Sequence, residues 1–160
     1  MTNAETMTQA SNEELIEHIL TRYHDTHREQ LPELIHLAER VERVHGGHTA
    51  CPAGLSAHLE HMAEELETHM AKEEQKLFPM IVRGMSAMAG GPVAAMRHEH
   101  EEHSTALEKL ERITNGLTLP DEACGSWQRL YQGLATFRDD LKAHIRTEND
   151  LLFSRIDDGN

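Results

Sequence analysis

Aromatic side chains are scarce in this chain, at 4% of 160 residues, so any core must be filled by Leu, Ile, Val, Ala and Met. Cysteine is scarcer still. Cys51 and Cys124 are the only two, spaced neither as a metal knuckle nor as a C-x-x-C redox pair, and they read as loop thiols. Basic charge is thin: 15 Lys and Arg stand against 28 Asp and Glu, a net charge of −13 with histidine neutral. Nowhere do the basic residues cluster as a phosphate backbone demands, which excludes nucleic acid as a partner. No stretch approaches the ~20 apolar residues that span a bilayer. Met1 to Ala10 lacks both the basic start and the apolar run of a secretory leader, so no membrane partner is expected and the expected compartment is the cytoplasm.

What the chain does have is histidine, 13 of them, within a composition that is 38% hydrophobic and 27% charged. That is the balance of one globular domain. Residues 1–10 read as a disordered tail, and 11–160 as the domain. Ser11 with Glu14 makes a capping box, after which Leu15, Ile16, Ile19, Leu20, Tyr23, His27, Leu31, Leu34, Ile35, Ala38 and Val41 recur at helical spacing. Pro32 either kinks this helix or divides it. Gly46-Gly47 through Pro52 form a loop, and a second helix runs from about Ala53 with Pro79 bending its last turns. Gly90-Gly91-Pro92 reads as the turn that opens helix three, which Asn115-Gly116 stops. Helix four begins at Asp121 or Ser126 and continues to Ile156. Four long helices with short connections predict an all-α, up-down-up-down four-helix bundle, and no strand signal competes.

Two stretches repeat one pattern: His69-Met70-Ala71-Lys72-Glu73 and His144-Ile145-Arg146-Thr147-Glu148. Four residues turn a helix through about 400°, so each pair shows an imidazole and a carboxylate on one face. In antiparallel helices, residues equally far from the connecting turn sit at equal height. His24 lies about 22 residues before Gly46-Gly47 and His69 about 22 after it. Around a turn near Met88, Glu73 and His100 are level within a turn of helix, and His100 and His144 match more loosely across the third connection. One layer therefore collects His24, His69, Glu73, His100, His144 and Glu148, with every helix contributing.

Four imidazoles and two carboxylates in a bundle interior impose a desolvation cost that coordination would offset. There is no thiolate among them, and six ligands exceed the four of a structural zinc site. The set suits two non-haem iron ions, oxo- or hydroxo-bridged, with room for a small ligand; manganese or zinc can occupy such a site. His45 lies about 21 residues from His24, roughly 31 Å along a helix, and is left out. The remaining histidines read as loop, surface or locally satisfied, although His27 and His103 lie near the stripe and are candidates to line an access route. The methionines read as core filling.

The sequence resembles the hemerythrin-like di-iron proteins, and most closely the family of iron-sulfur cluster repair proteins. The resemblance rests on Arg22-Tyr23-His24-Asp25, the run from His27 to Leu34, Val41-Glu42-Arg43-Val44-His45, His69 to Glu74, Leu77-Phe78-Pro79-Met80, Glu99-His100, and His144 with Glu148. It implies a hemerythrin-like bundle, a His/Glu-ligated di-iron centre on those six residues, and a role in nitrosative and oxidative stress. It also implies reaction with nitric oxide, or supply of iron, in repairing damaged iron-sulfur proteins. Longer members begin with a small domain bearing a cysteine pair, whereas this chain opens on the bundle, so the expectation is a separate thiol-bearing partner. The alternative is reversible dioxygen binding or sensing, and a third is a metal-free interaction module. Acid-lined access through Glu65 or Glu99 is a further expectation.

Overall fold

The computed structural model describes residues 7–157. Helix α1 spans 12–44, α2 spans 55–82, α3 is Ser86–Ile113 and α4 spans 125–157. No strand forms among the described residues, and none of their helices is long and apolar enough to cross a membrane. The capping box forms as the sequence predicts: Ser11 Oγ accepts from the Glu14 amide and Glu14 Oε1 accepts from the Ser11 amide, both at 3.1 Å. Helix α1 packs against α2 and α4, α2 against α3, and α3 against the end of α4, which closes the antiparallel bundle. Gly133 permits the close approach of α4 to α1, because a Cβ there would lie 2.7 Å from Leu34 Cδ2.

Pro32 lies within α1, which continues to Val44 as one helix rather than two. The boundaries depart from expectation in two places. Gly90-Gly91-Pro92 is not a turn: α3 begins at Ser86 and runs through all three. Buried Ala89, Val93 and Met96 hold that first part of α3 against the core, and packing outweighs the poor helix propensity of glycine. The turn falls earlier, at Gly84, whose φ of 73° suits a residue without Cβ. Of the expected tail, residues 1–6 lie outside the described residues, whereas 7–9 are helical. The Met7 and Thr8 carbonyls accept from the Arg155 guanidinium, which ties this turn to the end of α4.

The core is in two parts. One apolar cluster holds Leu31, Leu34, Leu59, Leu66, Leu134 and Phe137 among others. The second gathers Leu15, Ile19, Leu77, Phe78, Val93 and Phe153 at the opposite end. Between them lies a polar layer walled by apolar side chains above and below.

Candidate metal centre

Three of the four helices widen by one residue as they cross this layer. Each contains a π-helical turn, Leu20–His24 in α1, Glu73–Leu77 in α2 and Thr147–Leu152 in α4. His24, Glu73 and Glu148 all sit in these turns. The extra residue re-aims the side chains that follow it, and such turns occur mostly where function demands an aim that the regular helix does not give. Helix α3 brings His100 and His103 inward without one.

All six residues singled out in the sequence meet here, and each is at most 2% exposed. Their donor atoms form two overlapping sets, His24, Glu73, His144 and Glu148 in one and His69, Glu73, His100 and Glu148 in the other, with all ligand atoms of a set within 4.8 Å of one another. Glu73 and Glu148 belong to both. The four Nε2 atoms converge on the two carboxylates: His24 and His69 lie 3.2 and 3.4 Å from Glu73 Oε1, and His100 and His144 lie 2.8 and 2.9 Å from Glu148. Hydrogen bonding accounts for only part of this. His24 Nε2, both Glu73 oxygens and Glu148 Oε1 are buried without a hydrogen-bond partner. Orphaned buried polar atoms are costly, and here all of them belong to the two donor sets. The donor set, imidazole nitrogen with carboxylate oxygen and no sulfur, fits iron.

Each imidazole is held from behind through Nδ1. His24 Nδ1 lies 2.7 Å from Glu74 Oε2, His69 Nδ1 2.9 Å from Glu99 Oε1, His100 Nδ1 2.8 Å from Asn149 Oδ1, and His144 Nδ1 3.1 Å from His27 Nε2. With Nδ1 donating outward, Nε2 presents its lone pair inward, as metal ligation requires. The two sets mirror each other: each has one carboxylate-backed histidine and one backed by a neutral group. Both backing carboxylates carry a cation, Arg28 on Glu74 at 2.8 Å and Lys72 on Glu99 at 2.9 Å. Burial opposes ionisation of Glu74 and Glu99, but these cations and the bonded histidines outweigh it and hold both below the usual carboxylate range.

With protons as the only cations, the layer retains them. Burial alone would lower the pKa of His24, yet Glu148 and Glu73 outweigh it and push it up to about 10. His69 is pushed up to about 11 by the same two carboxylates against the same penalty. Burial raises Glu148, but His144, His100 and His24 hold it well below its ordinary value. His27 and His103 lack an adjoining carboxylate, and burial chiefly drives each down to about 3. The pocket thus attracts positive charge at its centre and refuses it at its flanks.

Of the two histidines placed near the stripe, His27 backs a candidate ligand, and His103 is buried edge-on to His69. Glu99, read as possible access lining, holds His69 directly. It also lines a cleft of about 400 Å³ with Glu65, Glu102 and His103. His45 stays out of the layer, tilted against Trp127 with Nε2 3.2 Å from Cys124 Sγ. His58 is satisfied by the Ala106 carbonyl at 2.8 Å. Cys51 and Cys124 are both free.

The Hemerythrin HHE cation binding domain profile matches residues 15–156. The chain is 50% identical over 147 residues to the iron-sulfur cluster repair protein YtfE of Dickeya chrysanthemi, covering 92% of this chain and 66% of that one. It is 50% identical over 154 residues to a probable iron-sulfur cluster repair protein of Haemophilus influenzae, covering 96% and 69%. Against YtfE of Yersinia pseudotuberculosis the identity is 52% over 141 residues, covering 88% and 64%. The chain thus spans about two thirds of the length of these curated relatives.

Proposed function

From the premise that this chain belongs to the hemerythrin HHE cation-binding domain family, we propose that it is a di-iron protein acting in iron-sulfur cluster repair under nitrosative and oxidative stress. The observation that carries the reading is the pair of buried four-residue sets that share Glu73 and Glu148. His24 and His144 would hold one iron, His69 and His100 the other, and the two shared carboxylates would serve both. Bound in this way, two irons would supply one-electron chemistry and an open position for a diatomic ligand such as nitric oxide. The protein's own part is positioning and exclusion. Glu74, Glu99, Asn149 and His27 fix the imidazoles, and the apolar clusters on either side keep bulk water out. Iron destined for a damaged cluster is a substrate, and the cleft lined by Glu65, Glu99 and Glu102 gives it a carboxylate path that reaches His69 through Glu99.

Repair also calls for thiols. Cys51 lies in the connection before Leu55, and roughly 20 Å of helix separates Leu55 from His69 at about 1.5 Å per residue. Cys124 caps α4 at the same end, engaged with His45. Neither reaches the centre, so the proposal includes a separate thiol-bearing partner and damaged iron-sulfur proteins as clients. The proposed setting is the cytoplasm.

Two assays test this. Stopped-flow mixing of the reduced, iron-loaded protein with nitric oxide is expected to change its spectrum within the mixing experiment; reversible binding of dioxygen with no response to nitric oxide would overturn the assignment. In a repair assay on a nitric-oxide-damaged cluster enzyme, a Cys51→Ser/Cys124→Ser variant is expected to retain activity when a small thiol is supplied. Loss of repair with the iron still loaded would make these thiols functional.

A further inference from the structure

Three of the candidate ligands rest Nδ1 on an oxygen. His144 rests on a second histidine instead, and that histidine ends a chain of hydrogen bonds reaching the surface. Arg22, whose side chain is 47% exposed, donates to Asp140 Oδ1 at 2.8 Å. Gln30 Nε2 donates to Asp140 Oδ2 at 2.9 Å. Gln30 Oε1 lies 3.4 Å from His27 Nδ1, and His27 Nε2 lies 3.1 Å from His144 Nδ1.

Every link fixes the direction of the next. A carboxylate paired with a guanidinium can only accept, so Gln30 must turn its amide nitrogen toward Asp140 and its carbonyl toward His27. The carbonyl can only accept, so the His27 proton sits on Nδ1. His27 is fully buried, and the groups against its ring are Gln30, His144, Tyr23 and Phe137, none of them an acid, a setting for the neutral ring. A neutral imidazole has one N–H, which leaves Nε2 bare to accept the His144 Nδ1 proton. The lone pair of His144 Nε2 then faces inward. Ring packing holds the arrangement in place: Tyr23 stacks on His144 at 5.2 Å and 5°, His27 stacks on His144 at 5.2 Å, and Phe137 meets His27 edge-on at 5.6 Å.

We infer that Asp140, acting through Gln30 and His27, is a positioning residue that sets His144 in the one tautomer able to bind metal. This rests on the metal-centre reading above and adds to it a surface ion pair that governs a buried ligand. Without Asp140, Gln30 is free to reverse, His27 can carry its proton on Nε2, and that proton would face the proton on His144 Nδ1. His144 would then have to shift its proton to Nε2 or turn away. The other set, His69 with His100, has no such chain and is predicted to be unaffected.

The test uses zinc, which is diamagnetic and accepts the same donors. Two-bond ¹H–¹⁵N correlation spectra of histidine-labelled wild-type protein, with and without Zn²⁺, are expected to show His27 protonated on Nδ1 alone. In Asp140→Ala the His27 signals should become those of a tautomer mixture. Competitive Zn²⁺ titration should show one of two sites weakened, on the order of 10–100-fold in His27→Leu and Asp140→Ala, while His27→Gln, which keeps an acceptor for His144, recovers most of that loss. A merely structural role would leave the tautomer unmoved and give no such rescue. A wild-type His27 protonated on Nε2, or two zinc affinities unchanged in both deletion variants, would overturn the inference alone. A wild type that bound no zinc or iron at all would bring down the metal-centre reading and this inference with it.

Discussion

Glu148→Ala and Glu73→Ala proteins, expressed with iron, are expected to retain little of either metal, whereas a single histidine substitution should mainly weaken one. The reason is the sharing. Glu148 faces all four imidazoles, at 2.8 Å from His100, 2.9 Å from His144, 3.7 Å from His24 and 3.9 Å from His69. Removing it takes one donor from both sets and one of the two negative charges that make the layer attractive to cations. Outer partners of metal ligands typically contribute about 10–100-fold in affinity, and loss of a shared inner carboxylate should exceed the upper end of that range. His45→Ala and His58→Ala should keep their full metal, since His45 lies against Trp127 and His58 is bonded to the Ala106 carbonyl. Metal analysis of all four proteins decides this: equal losses across them would show that the wrong layer had been assigned.

The second large effect is on stability. Metal-loaded protein is expected to melt about 10 °C or more above the metal-free form, because a ligand at 1,000 times its Kd adds about 4 kcal/mol and each kcal/mol moves a domain of this size by about 2–4 °C. The difference should depend on pH. Without metal, His24 and His69 hold their protons up to about 10 and 11, whereas in the unfolded chain histidine titrates near 6.5. Their contribution to stability is therefore complete below about pH 6.5. It declines as pH rises, because the unfolded chain releases protons that the folded one retains, and is exhausted once the folded values are passed.

His27 and His103 act in the opposite direction. Both stay neutral down to about 3 in the fold, so below pH 6.5 the unfolded chain binds protons that the native state refuses, and stability falls on acidification. The Tm of metal-free protein should thus pass through a maximum near pH 6.5. In the loaded form, metal replaces the two protons, so binding tightens with pH and the gap between loaded and metal-free curves widens from pH 6.5 to 9. Calorimetric scans on preparations of confirmed metal content measure this, and coincident curves would count against a buried site.

The six inner residues were legible because mirrored distance from a turn fixes depth in an antiparallel bundle, and the repeated H-x-x-x-E fixes a face. The widened turns were also written in the sequence, in spacing that went unread. In α3 the buried positions Ala89, Val93, Met96, His100, His103, Leu107 and Leu110 alternate steps of four and three, as about 100° per residue requires. In α1, Leu15, Ile19, Tyr23, His27 and Leu31 advance by four each time. Glu73, Leu77 and Ile81 in α2, and His144, Glu148, Leu152 and Ile156 in α4, do likewise. A regular helix would carry such a run off its face by about 40° per step. Only an added residue in the turn keeps it pointing inward.

What spacing could not give was the outer ring of partners. Glu74, Glu99 and His27 each meet a histidine of another helix, and for Glu74 and His27, which lie in or just after a widened turn, the neighbour met depends on the rotation that turn imposes. Gly90-Gly91-Pro92 misled for a different reason: its glycines lie on the exposed side of α3, where local propensity yields to the apolar residues beneath.

An anaerobic titration of metal-free protein with Fe(II), read by bound iron per chain and by protons released, tests the di-iron assignment most directly. Two buried sets sharing Glu73 and Glu148 predict an end point of two irons per chain, with about two protons expelled near neutral pH from His24 and His69. An end point of one iron per chain, or none, in protein shown to be folded would contradict it.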